Sequence, residues 1–277
     1  MSEVILVLLR HPEEARSLLD AAARLAETMG GAHVNTLAVR ETVVLAPSFA
    51  ATLADRSAAL LHAGEEERRR VAAVRRAYDA WTASAGKSRA DTHWFEAEGY
   101  TADIVVRWGR RADVVVTERP SPEDWQAERV FRAALLGTDR PILMVPPEPA
   151  FAHLPGRFGR SIAIAWSPEK QTLRAVLPAL RWLTSAKEMH VLIGARGNTQ
   201  TAELPAVLQE RGLRADLHVL SPRRGSIGQT VLDVVHDLAA DLLVMGAYVQ
   251  SPLRRLVFGG VTPHMLAWAD VPVLMRH

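Results

Sequence analysis

The stretch Asp241-Leu-Leu-Val-Met-Gly246 predicts a buried strand that ends in glycine. The chain continues through Ala247 and Tyr248 into a loop, and the pair Gly259-Gly260 then precedes a helical stretch. Glycines at such a turn let backbone N–H groups approach a phosphate chain and point a helix N-terminus at it. The amino-terminal half has a matching strand but lacks this loop, so the glycines distinguish the two halves.

The order of the predicted elements repeats along the chain. Each half begins with a short apolar strand, then a turn with proline and a helix; the strands start at Val4-Ile-Leu-Val and at Ile162-Ala-Ile-Ala. Each half ends in a short apolar strand with proline, within Arg140-Pro-Ile-Leu-Met-Val-Pro146 and Asp270-Val-Pro-Val-Leu-Met-Arg276. This repetition predicts that the chain contains two copies of one domain.

We place the two domains at residues 1–147 and 157–277. The segment from Pro147 to Gly156 joins them, and its prolines predict an irregular linker. Continuous apolar strands that alternate with helices are typical of a parallel sheet covered on both faces. The fold class is therefore α/β, with two tandem doubly wound domains.

Each domain is expected to have a five-stranded, mostly parallel sheet plus an edge strand that pairs the two domains as a pseudo-dimer. Proline restricts the closing strands to an edge, and an exposed apolar edge invites pairing. Residues 141–145 and 271–275 are therefore predicted to pair antiparallel. Helices are predicted near residues 50–85, 169–186, 201–212, 227–240 and 260–269.

Composition excludes several classes of protein. The 277 residues are 48% hydrophobic and 23% charged, as in ordinary globular proteins, and the net charge of +2 gives no nucleic-acid footprint. The absence of cysteine excludes disulfides and thiolate metal sites. No apolar run approaches the length of a membrane span. The start of the chain resembles a first strand, and we expect a cytoplasmic protein.

Four segments closely resemble the universal stress protein family, in its tandem bacterial members. They are Ala165-Trp166, Arg174-Ala-Val176, Asp241-Leu-Leu-Val-Met-Gly-Ala-Tyr248 and Leu253-Arg-Arg-Leu-Val-Phe-Gly-Gly-Val-Thr262. The resemblance is strong in the carboxyl-terminal half and weak in the amino-terminal half. It implies the doubly wound fold and ATP binding at the carboxyl ends of the strands. The one metal that it leads us to expect is Mg²⁺ bound to the nucleotide.

The family motif maps onto this chain residue by residue. Its first and third glycines fall on Gly246 and Gly259, whereas its second falls on Val249. The hydroxyl position falls on Gly260, and a family aspartate after the first strand corresponds to Ser167. The remaining nucleotide contacts implied by the resemblance are Trp166, Ile193, Ser251 and Val261. The tryptophan has two interpretations, stacking on a base or packing over the crevice.

The amino-terminal half departs further from the motif. Glu118-Arg-Pro120 stands where the other half has Gly246-Ala-Tyr248, and a carboxylate there repels a phosphate. We expect this domain to have a structural or interaction role. Asp241 lies at the start of its strand, away from the crevice, and no set of catalytic residues is recognised.

Three functions remain open. The first is a stress-response protein whose carboxyl-terminal domain binds ATP or a related nucleotide as a regulatory ligand. The second is a stress scaffold that binds no nucleotide and acts through protein partners, and the third is a slow ATPase. The internal pairing of the domains is compatible with a monomer or with further homodimerisation.

Overall fold

The computed structural model describes most of the chain. The described residues are 2–42, 53–84, 91–121, 123–152, 159–167, 170–182, 186–194, 203–221, 226–247 and 260–277. Within these ranges, no helix combines the length and the apolar character that a membrane span needs.

Ten strands and nine α-helices lie in the described ranges. The strands are β1 (Glu3–Leu8), β2 (Ala32–Glu41), β3 (Thr92–Gly99), β4 (Val114–Glu118), β5 (Ile142–Val145), β6 (Ser161–Trp166), β7 (Glu188–Gly194), β8 (Asp216–Leu220), β9 (Leu242–Gly246) and β10 (Val273–Arg276). The helices are α1 (Ala15–Thr28), α2 (Leu53–Ser84), α3 (Thr101–Gly109), α4 (Trp125–Gly137), α5 (Glu148–Ala152), α6 (Lys170–Trp182), α7 (Ala206–Gln209), α8 (Ile227–Asp237) and α9 (Val261–Trp268). A 3₁₀ turn, Pro12–Glu14, precedes α1.

All ten strands form one sheet in the order β3-β2-β1-β4-β5-β10-β9-β6-β7-β8. The order of the first five strands is repeated, reversed in space, by the last five. Neighbouring strands are parallel except β5 and β10, which pair antiparallel with Leu143 opposite Leu274. The predicted α/β fold and antiparallel pairing are therefore confirmed. The pairing strand is the fifth strand of each half.

The sheet is apolar on both faces, as the continuous hydrophobic runs predict. Ile5 and Val7 of β1 face one buried cluster, and the alternate residues Leu6 and Leu8 face the other. Both clusters contain residues of β5 and β10, so each extends across the pairing of the two halves. Helices cover both faces, which is why both residue sets are buried.

Two helix predictions need correction. The joining segment contains a short helix, α5, where its prolines predicted irregular backbone. Pro149 lies in the first turn of that helix, where a missing N–H breaks no intrahelical hydrogen bond. The helix expected over 201–212 is reduced to α7 within the described residues 203–221. Residues 153–158 of the predicted linker lie outside the described residues.

Asp241 has the structural position that the sequence predicts, at the amino end of β9. Its buried carboxylate accepts hydrogen bonds from the backbone N–H groups of Gly159 at 2.8 Å, Arg160 at 2.9 Å and Ser161 at 3.3 Å. Burial raises the pKa of Asp241 to about 6, against the effect of those donors. The side chain therefore holds the entry to β6 and is remote from the crevices at the other ends of the strands.

Asp241→Ala is expected to lower the free energy of unfolding by about 2 kcal/mol, because it leaves buried N–H donors unpaired. Since the folded pKa of about 6 exceeds the ordinary value of 3.8, Asp241 makes that free energy fall as the pH rises between these values, and the substitution removes this dependence. Urea unfolding at several pH values measures both effects. Asp113→Ala is the matched control. Asp113 stands at the start of β4, and its carboxylate accepts a hydrogen bond from the backbone N–H of Val4. Equal losses of the free energy of unfolding in both variants would contradict this role of Asp241.

Candidate functional site

The strand order creates two crevices at the carboxyl ends of the strands. The chain reverses its direction of winding between β1 and β4, and again between β6 and β9. Open α/β sheets bind ligands at such switch points. We call the first the amino-terminal crevice, where Arg10 follows β1 and Glu118 ends β4. The second is the carboxyl-terminal crevice, where Trp166 ends β6 and Gly246 ends β9.

The predicted nucleotide contacts fall partly within the described residues. Val249, Ser251 and Gly259 lie outside them. The others, Trp166, Ser167, Ile193, Gly246, Gly260 and Val261, are at strand ends or at the start of α9. Gly260 caps α9 in an extended conformation with φ −68°, and no side chain among the described residues caps that helix in its place. This glycine is therefore not required by a left-handed backbone.

Trp166 and Ile193 lie opposite each other in the register of β6 and β7. Both side chains are half-buried and pack against the same core cluster. Of the two interpretations that the sequence allows for the tryptophan, this contact supports packing over the core. Both residues stand at the carboxyl ends of their strands, next to the carboxyl-terminal crevice.

Ser167 is engaged with the helix that follows it. Its Oγ lies 3.2 Å from Oγ1 of Thr172, and Thr172 is buried in α6. The serine at the family aspartate position therefore contacts α6 by a short-range hydrogen bond. Either hydroxyl of this pair acts as the donor.

Gly246 is held by packing against the first turn of α6. A Cβ atom at Gly246 would lie 2.6 Å from the backbone nitrogen of Thr172 and 2.8 Å from the carbonyl carbon of Gln171. These are backbone atoms, so no side-chain rotation would relieve the contact. The close approach of α6 thus requires glycine here, whether or not a phosphate binds.

The amino-terminal crevice contains an ion-pair network instead of a glycine. Arg10 places Nη1 at 2.9 Å from both Glu118 Oε1 and Asp124 Oδ2. Glu118 is 7% exposed, and its burial raises its pKa in opposition to the nearby arginine. His11 Nε2 lies 3.3 Å from the same Asp124 oxygen. Two carboxylates therefore occupy the crevice with one guanidinium between them.

Asp124 also caps α4. It accepts hydrogen bonds from the backbone N–H groups of Gln126 at 2.9 Å and Ala127 at 3.0 Å. Desolvation raises its pKa, but the hydrogen bond from Arg10 and the backbone donors together lower the pKa to about 2. The carboxylate is thus fixed in its ionised form beside the crevice. Sequence analysis identified Glu118 but missed Arg10 and Asp124, whose signals were the arginine after β1 and the N-cap position before α4.

A solvent-open pocket adjoins this network and extends to the ends of β1 and β2. Its polar lining includes Arg70 and Glu67 of α2. Arg70 donates to the backbone oxygens of Arg10 and Val39, and it pairs with Glu67 at 2.9 Å. Arg70 and Glu67 are therefore paired within the protein.

Comparison with known proteins finds one family in the carboxyl-terminal half. The model of the Universal stress protein family matches residues 179–277. This segment is a universal stress protein domain match. The crystal structure of a universal stress protein from Archaeoglobus fulgidus has a TM-score of 0.68 with this chain at 12% identity, covering 100% of this chain and 98% of that one. This likeness shows that the fold of both halves is shared with a universal stress protein.

Two relatives support the universal stress protein assignment over shorter segments. The stress response protein NhaX of Bacillus subtilis is 30% identical over 74 residues, which are 27% of this chain and 43% of that protein. A universal stress protein of Synechocystis is 35% identical over 80 residues, 29% of this chain and 26% of that protein. The matches thus span less than half the length of either relative.

Proposed function

We propose that this universal stress protein binds an adenine nucleotide, ATP or a close relative, in its carboxyl-terminal crevice as a regulatory ligand. The observation that carries the proposal is the difference in charge between the crevices. β9 ends in Gly246, which has no side chain, whereas β4 ends in the buried carboxylate of Glu118. A polyphosphate is repelled by carboxylates and is stabilised by backbone N–H groups at a helix start.

The described part of the carboxyl-terminal crevice suits such a ligand. Trp166 and Ile193 are apolar residues that could contact a base, and Gly260 itself adds no side chain at the start of α9. None of the six described residues proposed for this site is charged. Mg²⁺ would accompany the nucleotide, with its charge balanced by the phosphates.

The amino-terminal crevice is not proposed to bind a nucleotide. The guanidinium of Arg10 is already held by Glu118 and Asp124. A phosphate would have to compete with two carboxylates, one of them buried beside it. We therefore assign this half a structural or interaction role.

A scaffold that binds no nucleotide and acts through protein partners is the second candidate. Two contacts favour it: Ser167 is bonded to Thr172, and Gly246 is required by the approach of α6. The identity of both residues thus has a structural explanation that requires no ligand. The two functions differ in one measurable property, the saturable binding of nucleotide.

Titration of the full chain with a fluorescent ATP analogue is expected to show one saturable site per chain. Val261→Glu should weaken that binding by at least about tenfold, because it adds a negative charge at the first position of α9. Val261→Gln is the matched control: it has nearly the same shape and loses the same apolar packing, but it should keep the affinity. Thermal unfolding of both variants checks that the domain remains folded.

Other outcomes separate the alternatives. Absence of saturable binding at sub-millimolar nucleotide would favour the scaffold. Binding that Val261→Glu leaves unchanged would move the site away from the carboxyl-terminal crevice. Release of phosphate from ATP and Mg²⁺ by the wild type, and its loss in Val261→Glu, would identify a slow ATPase at the same site.

A further inference from the structure

Three potential metal ligands lie close together at the amino ends of the strands, whereas the crevices are at the carboxyl ends. His33 lies near the amino end of β2, and Asp91 and His93 lie at the amino end of β3. Nδ1 of His33 is 2.8 Å from Oδ2 of Asp91, and Nε2 of His93 is 3.3 Å from Oδ1 of the same residue. One ligand atom from each residue lies within 4.8 Å of the others.

This arrangement matches the chemistry of zinc. Imidazole nitrogens and a carboxylate oxygen are ordinary Zn²⁺ ligands, and bonds of about 2.0–2.1 Å in a tetrahedron place neighbouring ligand atoms about 3.3 Å apart. Each imidazole nitrogen lies near that spacing from a different oxygen of the Asp91 carboxylate, at 2.8 Å for His33 and 3.3 Å for His93. The side chains are between 44% and 58% exposed, so an ion can enter and the ligands can adjust.

The Asp91 carboxylate lies between the two imidazoles. Among the described residues, the ionic contacts of Asp91 are with these two imidazoles and with no arginine or lysine. By contrast, the carboxylates of Glu118 and Asp124 near His11 are held by Arg10, so that cluster is a structural network.

The same residue types recur in the other half of the chain. Asp216-Leu-His218 of β8 repeats the spacing of Asp91-Thr-His93, and His190 of β7 lies opposite Asp216 in the register. The strands β7 and β8 take the places in the second half that β2 and β3 take in the first. This repetition is independent of the distances at the first cluster. It occurs although the crevices of the two halves differ.

The second set is arranged differently. His190 Nδ1 lies 3.2 Å from His218 Nε2 and 3.9 Å from Asp216 Oδ2, and the side chain of His190 is only 9% exposed. The two imidazoles therefore bond to each other, and an ion would have to break that contact. In the first set an ion would replace the hydrogen bond between His33 and Asp91, whose side chains are far more exposed than that of His190.

We propose that His33, Asp91 and His93 bind a divalent transition metal ion, with Zn²⁺ the best match and a water completing the coordination. The ion joins β2 to β3, the strand at the open edge of the sheet. None of the residues of β3, all of them described, is buried. A metal link at its amino end thus adds a second attachment to an edge strand that pairs with β2 alone.

Isothermal titration of the untagged full chain with Zn²⁺ tests this site. The wild type is expected to bind Zn²⁺ saturably and to melt at a higher temperature with the ion than without it. His33→Ala and His93→Ala should each weaken the tightest binding by at least about tenfold, which is the scale seen for loss of an outer-shell partner alone. All three ligands are exposed, so both variants should fold.

His236→Ala is the matched control, because His236 forms an equally exposed pair with Asp270 at 2.6 Å but has no third ligand in that contact. It should bind Zn²⁺ as the wild type does. Co²⁺ in place of Zn²⁺ gives a visible spectrum that reports coordination by imidazole, and this spectrum should be lost in His93→Ala. No saturable binding, or binding that His218→Ala removes while His33→Ala and His93→Ala leave it intact, would overturn the proposal.

Discussion

Arg10→Met is expected to lower the free energy of unfolding by about 3 to 5 kcal/mol, the usual cost of leaving one partner of a buried ion pair alone. The Arg10 and Glu118 side chains are only 13% and 9% exposed, with the charged atoms 2.9 Å apart. One oxygen of Glu118, Oε2, is buried with no hydrogen-bond partner among the described residues. Removing Arg10 therefore leaves the buried Glu118 carboxylate without its cationic partner and with few other hydrogen-bond donors. Chemical denaturation at neutral pH measures the loss.

The pH dependence of this variant has a definite sign. Burial already raises the pKa of Glu118, and loss of Arg10 raises it further because the neutral acid is then favoured. A folded state with a raised pKa holds protons that the unfolded chain releases, so the stability of Arg10→Met should fall as the pH rises from acid to neutral. Arg10→Met combined with Glu118→Gln should recover most of the loss. A loss of equal size in the Glu118→Gln background would show that the pair is not its cause.

Gly246→Ala is expected to destabilise the protein by about 3 kcal/mol, at the upper end for insertion of a methyl group into a packed site. The new Cβ would meet the backbone of Thr172 at 2.6 Å and that of Gln171 at 2.8 Å. Either β9 or the first turn of α6 would have to move, and both are fixed by core packing. Thermal or urea unfolding in the absence of any nucleotide measures this effect.

Gly194→Ala is the matched control for this substitution. Gly194 also ends a parallel strand of the same half, but no described atom lies within 4 Å of its Cβ position. Its replacement should change the stability by no more than about 0.5 kcal/mol. If Gly246→Ala were equally mild and instead lost only nucleotide affinity, the glycine would serve the ligand rather than the packing. The family motif alone does not separate these two reasons for glycine.

The fold was predictable because its signals are local and repeated. Runs such as Val114–Glu118 and Leu242–Gly246 are apolar on both faces, which indicates buried parallel strands. Proline in the closing segments indicated edge strands, and duplication supplied the partner that each edge needed. The helix α5 was missed because proline in a first turn has the same sequence signal as proline in a loop.

The chemistry of the crevices was predictable only in part. Glu118 was recognised as a carboxylate that would repel a phosphate, because it aligns with Gly246 in the repeat. Its partner Arg10 is 108 residues away in sequence, and no spacing rule connects them. The role of Gly246 was equally hidden, since its contact is with α6 and not with its own loop.

The order of apolar runs in the sequence alone determined the strands, the duplication and the antiparallel pairing of the two halves, because these follow from local periodicity and composition. Only the tertiary structure decided which charges neutralise each other, why Gly246 is glycine, and that His33 meets Asp91 and His93. Those facts depend on which strands become neighbours in the sheet. A hydrogen bond or a metal bond acts over a few ångströms, so its partners are set by that packing and not by distance along the chain.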